Sequence, residues 1–216
     1  MKRLIGYDLD GTLVDTRRDI AQSVNEMRRR MGKGPLPLSR IVGFIGKGLE
    51  QMVSDCLEEK DPGRIRQGMA IYQPHYADHL LDHSRLYPRA KDLLEYFKVR
   101  QQAVLTNKPE GFSRRILEGL GVAGYFVEIA GGDSDFPRKP DPTALLSMLD
   151  RHRVKPAEAL FIGDSDIDVE TGRNAGVLTV AVRHGLGDAR ALRASAPEIC
   201  VKDFRELMAL AQRRGW

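Results

Sequence analysis

Two aspartates and a glycine follow the first apolar run of this chain. The run Leu4-Ile5-Gly6-Tyr7 is typical of a short buried strand, and Asp8-Leu9-Asp10-Gly11 comes directly after it. Ligands of open α/β sheets bind beyond the carboxyl ends of the strands, so Asp8 and Asp10 are expected to point into a crevice there. Gly11 would let the backbone turn close to a bound group. A polar turn without chemistry is the alternative, because Asp and Gly are common turn residues.

Three further groups of reactive side chains follow later apolar runs. They are Thr106-Asn107-Lys108, Lys139-Pro140 and Gly163-Asp164-Ser165-Asp166-Ile167-Asp168. Taken singly, a helix cap, a surface loop and a turn would explain them. If the apolar runs are parallel strands of one sheet, all three groups meet the first aspartates at one edge of that sheet. Acids, a cation and hydroxyl or amide donors would then lie together, which favours a catalytic site.

Short apolar runs alternate with helical segments from Arg89 onward, a pattern typical of a parallel sheet covered on both faces. The predicted strands after the first are Gln102–Leu105, Phe126–Ile129, Ala159–Ile162, Leu178–Val182 and Ile199–Val201. The predicted helices are Ala90–Val99, Glu110–Leu120, Pro142–Arg153, Asp168–Ala175 and Arg205–Arg213. The sequence therefore predicts an α/β fold with a Rossmann-like parallel sheet core.

The stretch between the first strand and this alternating region has helical periodicity only. Helices are predicted over Asp19–Met31, Leu49–Glu58 and Pro62–His83, and no segment between Asp19 and His83 has the pattern of a strand. We therefore predict an α-helical cap domain over residues 16–86, inserted into a Rossmann-like catalytic core formed by residues 1–15 and 87–216.

Composition and charge describe an ordinary enzyme-sized chain. The 216 residues are 42% hydrophobic, and 34 basic against 30 acidic residues leave a dispersed net charge of +4, which does not favour nucleic acid as a partner. Cys56 and Cys200 lack metal-ligand spacing and are expected to be reduced. No apolar run reaches the length of a membrane helix, and no signal peptide pattern is present. We expect a cytoplasmic monomer or homodimer that has no membrane partner.

The four groups of polar residues, taken in order, resemble the motifs of the haloacid dehalogenase superfamily of phosphohydrolases. The helical insertion after the first motif resembles the branch of that superfamily with a helical cap. Within this branch, Gly131-Gly132-Asp133 before Lys139-Pro140 and the loop Val42–Gly48 look most like phosphoglycolate phosphatases. The resemblance spans nearly the whole chain.

Roles for the site residues follow from the resemblance and from the chemistry of phosphate esters. A phosphate monoester is anionic, so Asp8 as an attacking nucleophile needs positive charge nearby, and the resemblance implies an aspartyl-phosphate intermediate. Asp10 would protonate the leaving oxygen and later deprotonate water. Lys139 is expected as the only fixed cation at the phosphate. Thr106 and the backbone N–H of Asn107 would bind the remaining phosphate oxygens.

A divalent cation is expected between the nucleophile and the phosphate. Mg²⁺ prefers oxygen ligands and retains several waters, so Asp8, the backbone carbonyl of Asp10 and Asp164 would suffice as protein ligands. Asp168 would not bind the metal directly but would orient either Mg²⁺-bound water or Lys139.

The substrate is expected to be a small phosphorylated hydroxy acid, phosphoglycolate first. In the predicted cap, the loop Gly43-Phe44-Ile45-Gly46-Lys47-Gly48 carries three glycines, so its backbone could approach a ligand closely. We predict that Gly46 and Lys47 bind the substrate, with Arg40 as a further cation. Such a loop leaves little room for a large leaving group, and a cation beside it favours an acid.

Three alternatives stay open, and a fourth is disfavoured by the residues present. A sugar phosphate, a nucleotide or pyrophosphate could replace the phosphorylated acid as the substrate. A phosphonate hydrolase would use Lys47 as a Schiff-base lysine. A catalytically silent protein could use the same crevice to hold a phosphorylated ligand. A carbon-halogen dehalogenase would share Asp8, but it has no use for the acids Asp10 and Asp164.

Overall fold

Eight strands form two sheets in the computed structural model, which describes residues 1–216. In chain order they are β1 (Leu4–Tyr7), β2 (Val14–Asp15), β3 (Arg85–Leu86), β4 (Gln101–Leu105), β5 (Glu128–Ala130), β6 (Ala159–Gly163), β7 (Leu178–Val182) and β8 (Ile199–Val201). Six of them form a parallel sheet in the order β5-β4-β1-β6-β7-β8, and β2 pairs with β3 antiparallel. The predicted Rossmann-like α/β fold is confirmed, with β1 at the centre.

Ten α-helices cover this framework. In chain order they are α1 (Arg17–Arg30), α2 (Leu38–Val42), α3 (Leu49–Leu57), α4 (Pro62–Asp78), α5 (Ala90–Tyr96), α6 (Glu110–Gly119), α7 (Thr143–Arg151), α8 (Asp166–Ala175), α9 (Ala189–Ala194) and α10 (Phe204–Arg214). Two short 3-10 turns lie at Ala123–Tyr125 and Pro156–Glu158. None of these helices combines the length and the apolar character that a membrane span requires.

Both faces of the large sheet are buried, because successive side chains of each strand point to opposite sides. Ile5 and Tyr7 belong to the largest apolar cluster, on the face covered by α5, α6 and α10. Leu4 and Phe161 belong to a separate cluster on the other face, which α7 covers. This burial explains why the sheet strands read as nearly continuous apolar runs in the sequence.

Helices α1 to α4 form the insertion between β2 and β3. The pairs Val14↔Leu86 and Asp15↔Arg85 hold the two ends of the insertion side by side. The buried Asp19 carboxylate, near the start of the insertion, accepts hydrogen bonds from the backbone N–H groups of His83 and Ser84 near its end. The predicted absence of strands between Asp19 and His83 is confirmed. The division into a core and a cap domain at these positions stays a prediction.

Several element boundaries differ from the predictions. Helix α4 ends at Asp78 rather than His83. The backbone N–H groups of His83 and Ser84 donate to the Asp19 carboxylate instead of to helix carbonyls. Strand β5 begins at Glu128 rather than Phe126, because Phe126 caps the 3-10 turn that precedes the strand. Helix α9 was not predicted, although Asp188 caps it by accepting from the backbone N–H of Arg190.

Candidate active site

Three neighbouring strands deliver most of the predicted site residues to one edge of the sheet. Asp8 follows β1, Thr106 follows β4 and Asp164 follows β6. Tyr7 is level with both Val104 and Ile162, so these strands end at nearly the same height. Because the strands are parallel, the side chains that follow them lie together in the crevice at their carboxyl ends.

Lys139 joins two of the aspartates. Its Nζ lies 2.8 Å from the Asp8 carboxylate and 2.6 Å from that of Asp168. Asn107 fixes the backbone of this lysine, since its side-chain oxygen accepts from the Lys139 N–H and its side-chain nitrogen donates to the Lys139 carbonyl. Burial would lower the pKa of Lys139, but the charges of Asp168 and Asp8 outweigh it and raise that pKa above its ordinary value. Lys139 is therefore a permanent cation beside Asp8.

Asp164 is held by a side chain and two backbone groups. Its carboxylate accepts from the Thr12 hydroxyl at 2.7 Å and from the N–H groups of Leu186 and Gly187 at 2.7 and 2.9 Å. Gly11 packs against the same carboxylate with a positive φ of 89°, and a Cβ there would lie 2.3 Å from an Asp164 oxygen. Only glycine leaves room for the Asp164 carboxylate at this position, so the backbone of the first motif packs directly against Asp164.

Asp168 has no free carboxylate oxygen. One oxygen accepts from Lys139, and the other accepts from the Ser165 hydroxyl at 2.6 Å and from the Ser165 and Asp164 backbone N–H groups. Ser165 in turn caps helix α8. Asp168 is thus placed to orient Lys139, one of the two roles predicted for it.

Asp10 has a partner that the sequence interpretation missed. The Lys108 ammonium group lies 2.9 Å from both Asp10 carboxylate oxygens, and the Thr16 hydroxyl donates to one of them at 2.6 Å. Both residues of the ion pair are largely buried, with 5% and 10% of their side chains exposed. A second buried cation therefore lines the cavity beside Lys139, the one expected at the phosphate. Lys108 directly follows Thr106-Asn107, and that position was the available signal.

Thr106 and Asn107 each have a hydrogen-bond donor without an acceptor in the protein. The Thr106 hydroxyl accepts from the Lys108 N–H and donates to no protein atom, and the Asn107 backbone N–H has no protein acceptor. The Asn107 side chain also donates to the carbonyl of Gly46 in the inserted helical segment at 2.9 Å. Asn107 therefore joins the sheet edge to the insertion.

The Gly43–Gly48 loop lies over this edge and closes a small cavity. Gly46 and Gly48 line the cavity together with Asp8, Asp10 and Thr106, and its empty volume of about 540 Å³ includes the open mouth. Lys47 is exposed and is not among the lining residues. Arg40 is exposed as well and pairs with Glu58. The structure therefore brings Gly46 to the site but neither of the two cations expected from this segment, because their side chains extend toward solvent.

A family model described as haloacid dehalogenase-like hydrolase matches residues 5–182, which covers most of the chain and all four predicted motifs. The chain belongs to the haloacid dehalogenase-like hydrolases. The predicted family and the predicted hydrolase class are thereby confirmed.

This hydrolase is similar to proteins named as phosphoglycolate phosphatases. A phosphoglycolate phosphatase of Pseudomonas putida is 33% identical over 96% of this chain and 79% of its own length. One of Aliivibrio fischeri is 34% identical over 96% of both chains. The crystal structure of a predicted phosphoglycolate phosphatase from Haemophilus somnus has a TM-score of 0.93 at 28% identity, covering 97% of this chain and 98% of that one.

The acids of this hydrolase outnumber the cations at the site. Carboxylate oxygens of Asp8, Asp164 and Asp168 lie within 4.8 Å of one another, and all three residues are buried. Asp10 adds a fourth carboxylate, whereas Lys139 and Lys108 supply the only ammonium groups of the cavity wall. When ionised, the four carboxylates carry two more negative charges than the two ammonium groups balance, an excess that a divalent cation would neutralise. The Asp10 backbone carbonyl accepts no hydrogen bond, so it is free to act as a ligand.

The pKa values of Asp8 and Asp164 reflect the same excess of buried negative charge. Burial, together with the charges of Asp168 and Asp8, raises the pKa of Asp164 from 3.8 to about 7. Burial also raises the pKa of Asp8 to about 6, although the Lys139 ammonium opposes the shift. A raised carboxyl pKa means that the anionic form is disfavoured in the folded state. Without a cation, this hydrolase therefore carries electrostatic strain at neutral pH.

Asp164→Asn is expected to raise the Tm of the metal-free protein at pH 8 by on the order of 5 °C. The folded pKa of Asp164 is raised, so its contribution to stability is present below pH 3.8 and is lost as the pH rises through about 7. Asparagine removes that loss, keeps an oxygen for the two backbone N–H groups and can donate to Thr12. Thermal melting in chelator at pH 5 and pH 8 measures the effect.

The gain in Tm should shrink at pH 5, and adding Mg²⁺ should stabilise the parent more than the variant. Asp166→Asn is the matched control, because this half-buried neighbour makes no hydrogen bond to the cluster. An Asp164→Asn protein that melts at or below the parent temperature at pH 8 would show that Asp164 carries no strain.

Proposed function

We propose that this hydrolase is a phosphoric monoester hydrolase that acts on small substrates, with phosphoglycolate first among them. The observation that carries the proposal is the pair Asp8 and Asp10 on the wall of one small cavity, with Lys139 bonded to the first. The similarity to phosphoglycolate phosphatases supports the same substrate. The site is expected to use Mg²⁺ and an aspartyl-phosphate intermediate.

In the first step Asp8 attacks phosphorus and forms an acyl phosphate while the bond to the leaving oxygen breaks. Lys139 offsets the negative charge of Asp8 and faces the incoming phosphoryl oxygens, and Asp168 holds the lysine in place. Bound Mg²⁺, held by Asp8, the Asp10 carbonyl and Asp164, would supply the positive charge that lets two anions approach each other.

Asp10 transfers protons in both steps. In the first step its carboxyl group gives a proton to the leaving alkoxide, and the alcohol departs. In the second step its carboxylate takes a proton from a water molecule that attacks phosphorus, which releases inorganic phosphate and restores Asp8. Thr16 and Lys108 fix the orientation of the Asp10 carboxylate for both transfers.

Phosphate oxygens that Lys139 does not reach need other donors. The Thr106 hydroxyl and the Asn107 backbone N–H both lack protein acceptors, which supports their predicted role in phosphate binding. These donors are already fixed before substrate arrives, because Thr106 and Asn107 are 3% and 5% exposed. Preorganised donors stabilise the charge that develops in the transition state without further reorganisation.

We also propose that residues 16–86 act as a cap that selects small substrates. Gly46 lines the cavity and receives a hydrogen bond from Asn107, so the inserted segment is closed over the site. A closed cap excludes water and restricts the leaving group in size. A phosphonate hydrolase is less well supported, because the Lys47 side chain that would form the Schiff base does not line the cavity.

A panel of phosphate esters tests the substrate. In the presence of Mg²⁺, kcat/KM for phosphoglycolate is expected to exceed that for hexose phosphates, nucleotides and pyrophosphate by at least about tenfold. Faster turnover of a sugar phosphate or a nucleotide would refute the proposed substrate and leave the phosphatase activity standing. Failure to hydrolyse any ester, including an aryl phosphate, would indicate a silent binding protein instead. Lys47→Ala in the same panel tests the predicted contact of Lys47.

A further inference from the structure

Lys108 is a buried cation to which the proposed catalytic steps assign only the positioning of Asp10. It follows β4, and its ammonium group lies between Asp10 and the ring of Tyr76, 4.8 Å from the ring centroid. Tyr76 belongs to helix α4 of the inserted segment. The ammonium group therefore sits at the seam between the sheet edge and the helices that cover it.

The two cations of the cavity serve different sides of the reaction. Lys139 contacts Asp8, the residue that takes the phosphoryl group, whereas Lys108 contacts Asp10, the residue that protonates the leaving oxygen. In a phosphorylated 2-hydroxy acid, a single carbon atom separates the carboxylate from the leaving oxygen. A cation bonded to the proton donor of that oxygen is therefore within reach of the carboxylate.

We propose that Lys108, with the hydroxyl group of Tyr76, binds the carboxylate of the leaving group and thereby selects phosphorylated hydroxy acids. This assignment rests on the proposed phosphatase function. An ammonium group has three N–H donors, so Lys108 can keep a bond to Asp10 and still donate to a substrate carboxylate. Tyr76 is 1% exposed, lines the same cavity, and its hydroxyl has no hydrogen-bond partner.

The rest of this part of the wall strengthens such an ion pair and disfavours other leaving groups. Leu49, Met52, Tyr72 and Phe112 line the cavity beside Tyr76. An apolar wall lowers the local dielectric, so a charge pair formed there is stronger than in water. Sugar hydroxyl groups would lose hydrogen bonds to water and find few partners. The cations that the sequence suggested for this role, Lys47 and Arg40, are exposed.

The test compares two esters that differ in charge. Phosphoglycolate and ethyl phosphate have alkyl leaving groups of similar size, but only the first carries a carboxylate. For Lys108→Gln, kcat/KM for phosphoglycolate is expected to fall at least about 30-fold more than kcat/KM for ethyl phosphate, mainly through KM. Equal losses with both esters would overturn the proposal, because Lys108 would then act only through Asp10.

Other variants separate folding from recognition. Tyr76→Phe removes only an unpartnered buried hydroxyl, so the protein should fold and its preference for phosphoglycolate should fall about threefold to tenfold. An unchanged preference in that variant would remove Tyr76 from the site. Lys91→Gln, at an exposed position of α5, is the control that should keep the parent preference. Loss of the preference in Lys47→Gln but not in Lys108→Gln would assign the carboxylate to the Gly43–Gly48 loop.

Binding without turnover gives an independent measurement. In Asp8→Asn protein, titration calorimetry should show tighter binding of phosphoglycolate than of ethyl phosphate, and adding Lys108→Gln should abolish that difference. A parent enzyme without any preference for phosphoglycolate would refute the proposed substrate together with this assignment. A preference that survives in Lys108→Gln would overturn the role of Lys108 alone.

Discussion

Replacing Asp8 by asparagine is expected to lower kcat for phosphoglycolate at least about 1,000-fold while the protein stays folded. An amide keeps the shape of the carboxylate but is not a competent nucleophile. Its oxygen can still accept from Lys139, and that lysine keeps its bond to Asp168. Burial already raises the pKa of Asp8, so removing its charge should not destabilise the fold. Steady-state kinetics and thermal melting measure the two effects.

Asp10→Asn is the matched comparison for this experiment. It also replaces a carboxylate by an amide, but at the residue that handles protons, so the loss should depend on the leaving group. Alkyl phosphates need protonation of the leaving oxygen more than aryl phosphates do, and they should lose more activity. Residual kcat within tenfold of the parent in folded Asp8→Asn protein would remove Asp8 from the nucleophile role. An equal loss for both ester types in Asp10→Asn would make Asp10 structural.

Removing divalent cations is the second change with a large expected effect. Chelator should lower turnover by at least about 1,000-fold, and Mg²⁺ should restore it. The physical reason is the surplus of buried carboxylate charge around Asp8 and Asp164, which repels an anionic substrate until a cation binds. Ca²⁺ should bind without comparable turnover, since its larger and looser coordination shell misplaces the nucleophile.

Titration of activity against Mg²⁺ concentration makes this prediction specific to the named ligand. Asp164→Asn should raise the Mg²⁺ concentration for half-maximal activity by at least about 30-fold. Asp166→Asn, whose side chain has no bond to the cluster, should leave that concentration near the parent value. Full activity of the parent in chelator would contradict the proposed metal requirement.

The sequence by itself determined the positions of the reactive groups along the chain. Leu4–Tyr7 is apolar at every position except glycine, and Asp8 follows it directly, so a buried strand with a carboxylate at its end was predictable from local pattern. The same reasoning located Thr106 and Asp164, because parallel strands place their carboxyl ends at one edge. Strand β7 also has the predicted bounds, because its extent was read from local sequence pattern.

Tertiary structure alone decided which charges pair and which loop residues face the cavity. Lys108 meets Asp10 across 98 positions of sequence because β4 and β1 are neighbours in the sheet, and strand order cannot be read from apolar periodicity. Lys47 was expected at the substrate, but in a short loop the backbone torsions decide the direction of a side chain, and its glycine neighbours line the cavity instead. Local pattern specifies strand ends, whereas contacts between distant segments depend on how those segments pack.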